Sequence, residues 1–408
     1  MADRKHCISL YKEGNNPTDI HIKLHRTRNW VYKWIKRYKT GESDWYLDAS
    51  KEPNRKHAKI DETLENKIVE IRKKLMTHCT PETRYSYYGA VAIHQELDKA
   101  GYTKKPNLST INRVIKRNGL IQNNAKNRVT KESKVYYPSL RVQHPGQIYQ
   151  LDLVTPRYII GYGKVVSVNR IDVFTSQANL NQYTSKGADS IISFIVEDWK
   201  EYGISEYLQL DNEASFRGSL YHPRTFGKLT RFCLNFGVEM IFIPFHEPWR
   251  NAHIESFNSR FNERLWLSQK FTDLEHLRKE AQNFKNKHND YQVYRKEQFS
   301  KQSLRSYTTR FFPENFYYDL CTELPITKGK VHFIRLVNEE GKINVFNETF
   351  YISKDLSFEY IWATIFTEKQ VLKFYHKSTK ESEWRTFDTV KYNLRETVKD
   401  NIPVNHFC

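Results

Sequence analysis

The chain has 408 residues, 39% hydrophobic and 14% aromatic, with a formal net charge of +18. A length of this order predicts two to four domains, and this apolar and aromatic content excludes a disordered chain. No apolar run approaches the ~18 residues of a membrane span, and the opening "MADRKHCISLYKEG" lacks the apolar stretch of a secretory signal, so no membrane partner is expected. Five scattered cysteines (Cys7, Cys79, Cys233, Cys321, Cys408) form no CxxC pair and read as an intracellular, cytoplasmic protein.

The charge is uneven: residues 1–140 carry +14 and residues 141–408 carry +4. A basic front on a near-neutral body points to a polyanion-binding module joined to something else, although many basic proteins bind no specific nucleic acid.

In chain order, residues 3–40 read as three short helices. The first ends at Gly14, Pro17 opens the second, and Thr27 caps the third, "RNWVYKWIKRYKTG". This is a helix-turn-helix layout, expected to span residues 1–45, with a basic, aromatic third helix for the major groove. Trp30, Val31, Trp34 and Ile35 would hold that helix to its core, while Arg28, Asn29, Lys33, Lys36 and Arg37 would face DNA. An ordinary three-helix bundle with a solvated basic face fits those residues equally well. Residues 43–59 read as a linker. A second helical unit, 58–122, begins with the stripe Leu64, Ile68, Ile71 and Leu75. It ends with "LSTINRVIKRNG", where Ser109 is the expected cap and Arg113, Lys116 and Arg117 are the basic residues. It reads as a second, winged-helix-like helix-turn-helix module, and the two units are not close repeats.

From Gln147 the pattern changes period. Residues 148–154, 164–174, 177–183, 206–211 and 238–244 are strand-like, and 187–203 and 223–237 are helical. A helix follows from Ile254, with Ile254, Phe257, Phe261 and Leu265 on one face. This predicts an α/β layer fold over 140–305. Residues 286–296, "NKHNDYQVYRK", read as a solvated face or a DNA contact. Alternating runs over 325–390 predict a separate small β-barrel.

Three acids stand out in the α/β region. Asp152 lies inside the apolar "YQLDLV", Asp211 closes "LQLD", and Glu255 falls in the first turn of the helix after the next strand. Each alone reads as a capping or turn carboxylate, and the helix dipole by itself would favour Glu255. An Asp in an apolar strand is nevertheless costly unless it is paired or binds a metal. Ligand sites of such sheets also collect at the C-terminal strand ends. Converging carboxylates suit Mg²⁺ or Mn²⁺. Two such ions ~3.5–4 Å apart can clamp the attacking and leaving oxygens of a phosphoryl transfer. Asn258 and Arg260 would reach out beside Glu255 towards a phosphate backbone.

"YQLDLV", "LQLDNEASF" and "EPWRNAHIESFNSRF", in that order, resemble the integrase core of DDE-type transposases and retroviral integrases, most of all bacterial insertion-sequence transposases. The resemblance covers roughly residues 140–300. It implies a ribonuclease-H-like fold, with Asp152, Asp211 and Glu255 as the catalytic, metal-binding triad. It also implies DNA contacts at Arg250, Asn251, Asn258 and Arg260, transposon-end and target DNA as partners, and a homo-oligomer of at least two chains on DNA. The departures are Glu213 where the family has glycine, Ala252 where it has glycine, and 43 residues between Asp211 and Glu255, which fits an insertion near "GSLYHPRTFGKLT".

Other chemistries fit less well. The chain has no GxxxxGK[ST] phosphate loop. His21 and His25 lie at i, i+4 without a cysteine pair to complete a zinc site, and no flanked Ser or Tyr nucleophile is evident. Two alternatives remain open at this level: a non-catalytic DNA-binding regulator, and a metal-dependent nuclease that cuts without joining.

Overall fold

The computed structural model describes residues 1–48, 60–121, 135–217, 223–299, 310–379 and 383–407. It divides into two units, Met1–Asp61 and Glu62–Cys408.

The first unit contains α1 (Ala2–Lys12), α2 (Pro17–Lys23) and α3 (Arg28–Lys39). Asn16 caps α2 by accepting from the Thr18 N–H at 2.8 Å, and Thr27 caps α3 through the Trp30 N–H at 3.3 Å. Cys7, Ile8, Ile20, Val31 and Ile35 form the core. Part of the expected linker folds back, since Arg4 donates to the Tyr46 carbonyl at 2.7 Å and to Asp48 at 2.9 Å. The remainder of that linker, 49–59, lies outside the described residues.

The second unit opens with α4 (Glu62–Thr77), α5 (Ala90–Lys99) and α6 (Leu108–Arg117). Ile68, Ile71 and Leu75 are buried as expected, and Leu64 is half-buried. The cap of α6 is Asn107, not Ser109: the Asn107 Oδ1 accepts from the Thr110 N–H at 2.9 Å, and Ser109 donates its hydroxyl to the same oxygen at 2.8 Å. An amide oxygen one residue before the helix reaches the free N–H groups, and a serine already inside the helix does not.

The sheet comprises β1 (Ile148–Ile159), β2 (Gly163–Asp172), β3 (Ala178–Tyr183), β4 (Tyr207–Leu210), β5 (Glu239–Phe242), β6 (Lys330–Leu336), β9 (Tyr360–Phe366), β10 (Val371–His376) and β11 (Arg385–Lys391). Its order is β11-β10-β9-β6-β5-β4-β1-β2-β3. β7 (Lys342–Val345) and β8 (Glu348–Tyr351) form a separate hairpin. One face of the sheet packs on α7 (Ala188–Tyr202) and α9 (Lys228–Asn235) through Trp199 and Phe232. The short α8 (Ala214–Arg217) follows β4. The opposite face carries α10 (Ala252–Phe261), which runs into a π-helical turn at Asn262–Trp266, and α11 (Leu274–Phe299).

The separate small β-barrel expected over 325–390 does not form among the described residues. β6 pairs in parallel with β5 through Met240↔Val331, Ile241↔His332 and Phe242↔Phe333, and β9, β10 and β11 extend the same open sheet. Alternation in sequence reports a buried face but not which strand pairs with which. β5 would otherwise present an open edge, and β6 covers it. The chain is thus helical at its N-terminus, mixed α/β in the middle and strand-rich towards its C-terminus.

Residues 286–296 are not a solvated face. Within α11, His288 and Gln292 are buried. The His288 Nε2–H donates to the Ser176 carbonyl at 2.9 Å, and its Nδ1 accepts from the Tyr87 hydroxyl at 2.8 Å. Burial drives its pKa down to about 3, so the ring is neutral. Among the described residues no helix is long and apolar enough to cross a membrane.

Candidate active site

Two strands carry the same tripeptide, Gln150-Leu151-Asp152 in β1 and Gln209-Leu210-Asp211 at the end of β4. The parallel register sets Gln150 beside Gln209, so the two aspartates come level, about one strand spacing (~4.8 Å) apart. Leu151 and Leu210 point into the main core. Both glutamines and both aspartates therefore project from the other face.

That face receives the start of α10. The Gln150 Oε1 accepts from the Ile254 N–H at 3.1 Å. The Gln209 Nε2 donates to the Arg250 carbonyl at 3.2 Å and to the Asn251 Oδ1 at 2.7 Å. The glutamines, one step below the acids, pin the helix where Glu255 leaves its first turn. Ile254, Phe257, Phe261 and Leu265 bury the helix's apolar stripe.

Asp152 is half-buried, and its Oδ2 accepts from the Asn258 Nδ2 at 2.6 Å. The Asn258 Oδ1 accepts in turn from Asn169, at 2.7 Å. Asn169 lies in β2 directly opposite Asp152. Burial, then the charges of Asp211 and Glu255, push the Asp152 carboxyl up to about 8. Asp211 is raised by burial; the Glu213 backbone N–H it accepts from opposes this, the Glu213 charge adds to it, and Arg217 opposes it. Glu255 is raised by burial and by the charge of Asp211. The three carboxylates thus feel one another across the site.

Among the described residues, no group of three or more His, Cys, Asp or Glu side chains is drawn together closely enough to hold a metal ion as it stands. The donor set nevertheless fits a hard divalent cation, because burial and mutual repulsion resist ionisation of these three carboxyls, and a bound cation would favour it.

The loop after Asp211 is held from the C-terminal strands. The Asn212 Nδ2 donates to the Ile243 carbonyl at 2.6 Å, and its Oδ1 accepts from Arg335 of β6 at 2.8 Å. Arg335 is 3% exposed and also donates to the Ile243 and Asn344 carbonyls, each at 2.8 Å. Burial and the nearby Arg217 lower its pKa to about 9.

The basic residues divide into two groups. Arg28, Asn29, Lys33 and Lys36 are exposed on α3, whereas Arg37 is half-buried and donates to the Leu47 carbonyl at 2.7 Å. Arg113, Lys116 and Arg117 are exposed on α6, with Arg117 paired to Glu65. Arg250 and Asn251 are turned inward. Arg250 donates to Glu247 and to the Tyr360 hydroxyl, each at 2.8 Å, over the Tyr137 ring, and Asn251 is buried. Arg260 is half-buried beside Tyr87.

Sequence reasoning did not single out Gln150, Gln209, Asn169 or Arg335. The repeated QLD was a usable signal for the first two, and a polar residue inside the apolar run of β2 was one for Asn169. No sequence signal marks Arg335, whose role comes from strand pairing.

A homeodomain-like domain matches residues 1–46, and an integrase core domain matches residues 236–292. The chain thus carries a homeodomain-like domain at its N-terminus and an integrase core domain later in the chain. No curated protein matches the chain. Among solved structures, the chain is similar to the HTLV-2 integrase catalytic core domain in complex with magnesium. The trimeric form is 16% identical with a TM-score of 0.26, covering 40% of this chain and 92% of that one. For the dimeric form the values are 16%, 0.26, 39% and 92%. A chain of the simian T-cell lymphotropic virus intasome in complex with PP2A regulatory subunit B56 gamma is 10% identical with a TM-score of 0.29, covering 80% of this chain and 100% of that one.

Proposed function

We propose that this chain is a DDE-type DNA transposase that binds the ends of a mobile element, hydrolyses a phosphodiester there and joins the freed 3′-hydroxyl to target DNA. The carrying observation is the pairing of Gln150 with Gln209, each two residues before an aspartate, and the hydrogen bonds of these glutamines to the start of α10, where Glu255 lies. Asp152, Asp211 and Glu255 would hold Mg²⁺ or Mn²⁺, as two ions, which when bound would activate the attacking oxygen and stabilise the leaving one. Asn258 and Asn169 orient the Asp152 carboxylate, and Arg335 braces the Asp211 loop through Asn212. The exposed residues of α3 and α6 would contact end DNA, and pairing two ends requires a homo-oligomer of at least two chains on DNA. The working compartment is the cytoplasm of a bacterial-type cell.

A second reading, a non-catalytic regulator, is favoured by one observation: the three acids are not gathered about a single point. A strand-transfer assay separates the readings. It uses a labelled duplex of the element's end, Mg²⁺ or Mn²⁺, a target plasmid, and wild type beside Glu255→Gln. Joined product from wild type alone is expected. Cleavage without joining would indicate a nuclease, and tight binding with neither reaction would indicate the regulator.

End binding should rest on α3. Lys33→Ala with Lys36→Ala should weaken binding and lower the slope of log affinity against log salt by about 2, at roughly 0.9 per phosphate contact. An unchanged slope would remove α3 from the DNA interface.

A further inference from the structure

Away from the acids, the sheet holds a cavity of about 280 Å³. Five aromatic residues wall it: Tyr207 at the start of β4, Trp362 and Phe366 of β9, Tyr375 of β10, and Trp384, which is 41% exposed just before β11. Its polar lining comes from Glu239, Lys330, His332 and Thr364.

These polar groups form one network. The His332 Nε2–H donates to a Glu239 oxygen at 2.7 Å, and Lys330 donates to the other at 2.8 Å. With Nε2 protonated, the His332 Nδ1 accepts from the Thr364 hydroxyl at 2.9 Å, and the Trp362 indole N–H donates to the Thr364 oxygen at 3.2 Å. The network holds the Trp362 ring in a fixed plane, and the Trp384 ring meets it edge-on with centroids 5.8 Å apart. The cavity therefore presents flat, oriented ring faces together with groups that donate and accept hydrogen bonds. A site for a purely apolar ligand would need no such lining. The volume is just below the ~300–1,000 Å³ typical of drug-sized ligand sites, which leaves room for one compact planar ring system.

Position and charge narrow the ligand. Leu208 and Leu210 face the main core, so Tyr207 lies on the same face of β4 as Asp211, four residues or about 13 Å along the strand. Two cations stand by the aromatic rings, with the Lys377 Nζ 5.9 Å from the Trp384 ring and the Lys373 Nζ 5.5 Å from the Phe366 ring. An anionic backbone carrying planar bases, and passing the acids on this face, matches both features.

We propose that this cavity binds a single unstacked nucleobase of the DNA substrate, stacked on the exposed Trp384 ring, with Trp362 closing one edge and hydrogen bonds made at the Glu239–Thr364 wall. The inference rests on the DNA-processing function proposed above. The base held here would be unpaired, in a frayed or overhanging strand, because a paired base has its edge occupied and both faces stacked.

The test uses the full-length chain, a blunt duplex, and the same duplex with a short single-stranded overhang carrying 2-aminopurine. Wild type should bind the overhang duplex about tenfold more tightly than the blunt one and quench the 2-aminopurine, as one stacked base warrants. Trp384→Ala should lose the preference and the quenching while binding the blunt duplex as wild type does. Trp384→Phe, which keeps a ring face, should retain most of both. Trp384 is exposed enough for both variants to fold, which their melting temperatures would check. Equal overhang preference and quenching in wild type and Trp384→Ala, with blunt-duplex binding intact, would overturn the cavity's role and leave the proposed function standing. Failure of wild type to bind either duplex would overturn both.

Discussion

Asp152→Asn should abolish cleavage and joining, by about 10³-fold or more, while leaving end binding unchanged. It should also make the metal-free protein more stable in alkali. The first effect follows from the proposed function, in which Asp152 would be an oxygen ligand of the metal ions that stabilise charge in the transition state, where each ~1.4 kcal/mol is a factor of ten. The second follows from linkage. The folded carboxyl titrates near 8 against an ordinary 3.8, so between those values the folded chain holds a proton that the unfolded chain has released. Stability therefore falls as pH rises through that window. Asparagine never ionises, so the variant escapes the loss. In the presence of a chelator its melting temperature should exceed that of wild type by about 2–5 °C at pH 8.5 and match it near pH 4. Equal melting curves at both pH values would mean that neither burial nor the acidic neighbours raise the Asp152 carboxyl. Loss of DNA binding in the variant would show that the site and the DNA-reading surface are not separable.

Asp198→Ala should destabilise the second unit by about 3–5 kcal/mol, read as a lowered urea midpoint. Arg170 and Asp198 are each 1% exposed. The Arg170 Nε donates to both Asp198 oxygens at 2.9 Å, its Nη2 donates to Oδ1 as well, and Asn179 adds a further bond at 2.9 Å. The guanidinium is also sandwiched between the rings of Tyr149 and Tyr202, at 4.3 and 4.4 Å. Removing the carboxylate leaves a buried cation without its counter-charge, which costs more than the pair itself contributes. The double variant Arg170→Met with Asp198→Leu removes both charges and should recover most of the loss. A single-variant effect below about 1 kcal/mol would mean that water reaches the pair. Arg170 adjoins Asn169, so this ion pair also holds the strand that orients Asp152.

Much of this was legible in the chain before folding. The cap at Thr27, the stripe of α10 and the strand around Asp152 all follow from local chemistry, namely which side chains reach free N–H groups and which periodicity buries an apolar face. The three acids could be picked out because a carboxylate in an apolar strand is costly enough to need a reason. Arg250 and Asn251 were legible only as polar residues near Glu255. Their inward turn depends on Glu247, Tyr360 and Gln209, two of which are distant in sequence.

By itself, the sequence determined the local elements, the basic α3 and α6 and the identity of the three acids, because these depend on neighbours within a few residues. Only the tertiary structure decided that the two QLD stretches lie in register, that Gln150 and Gln209 seat Glu255 beside them, and that the C-terminal strands extend the core sheet and lend it Arg335. Pairing joins residues dozens to more than a hundred positions apart, and the hydrogen bonds that select one register over another are made by backbone groups that every residue shares.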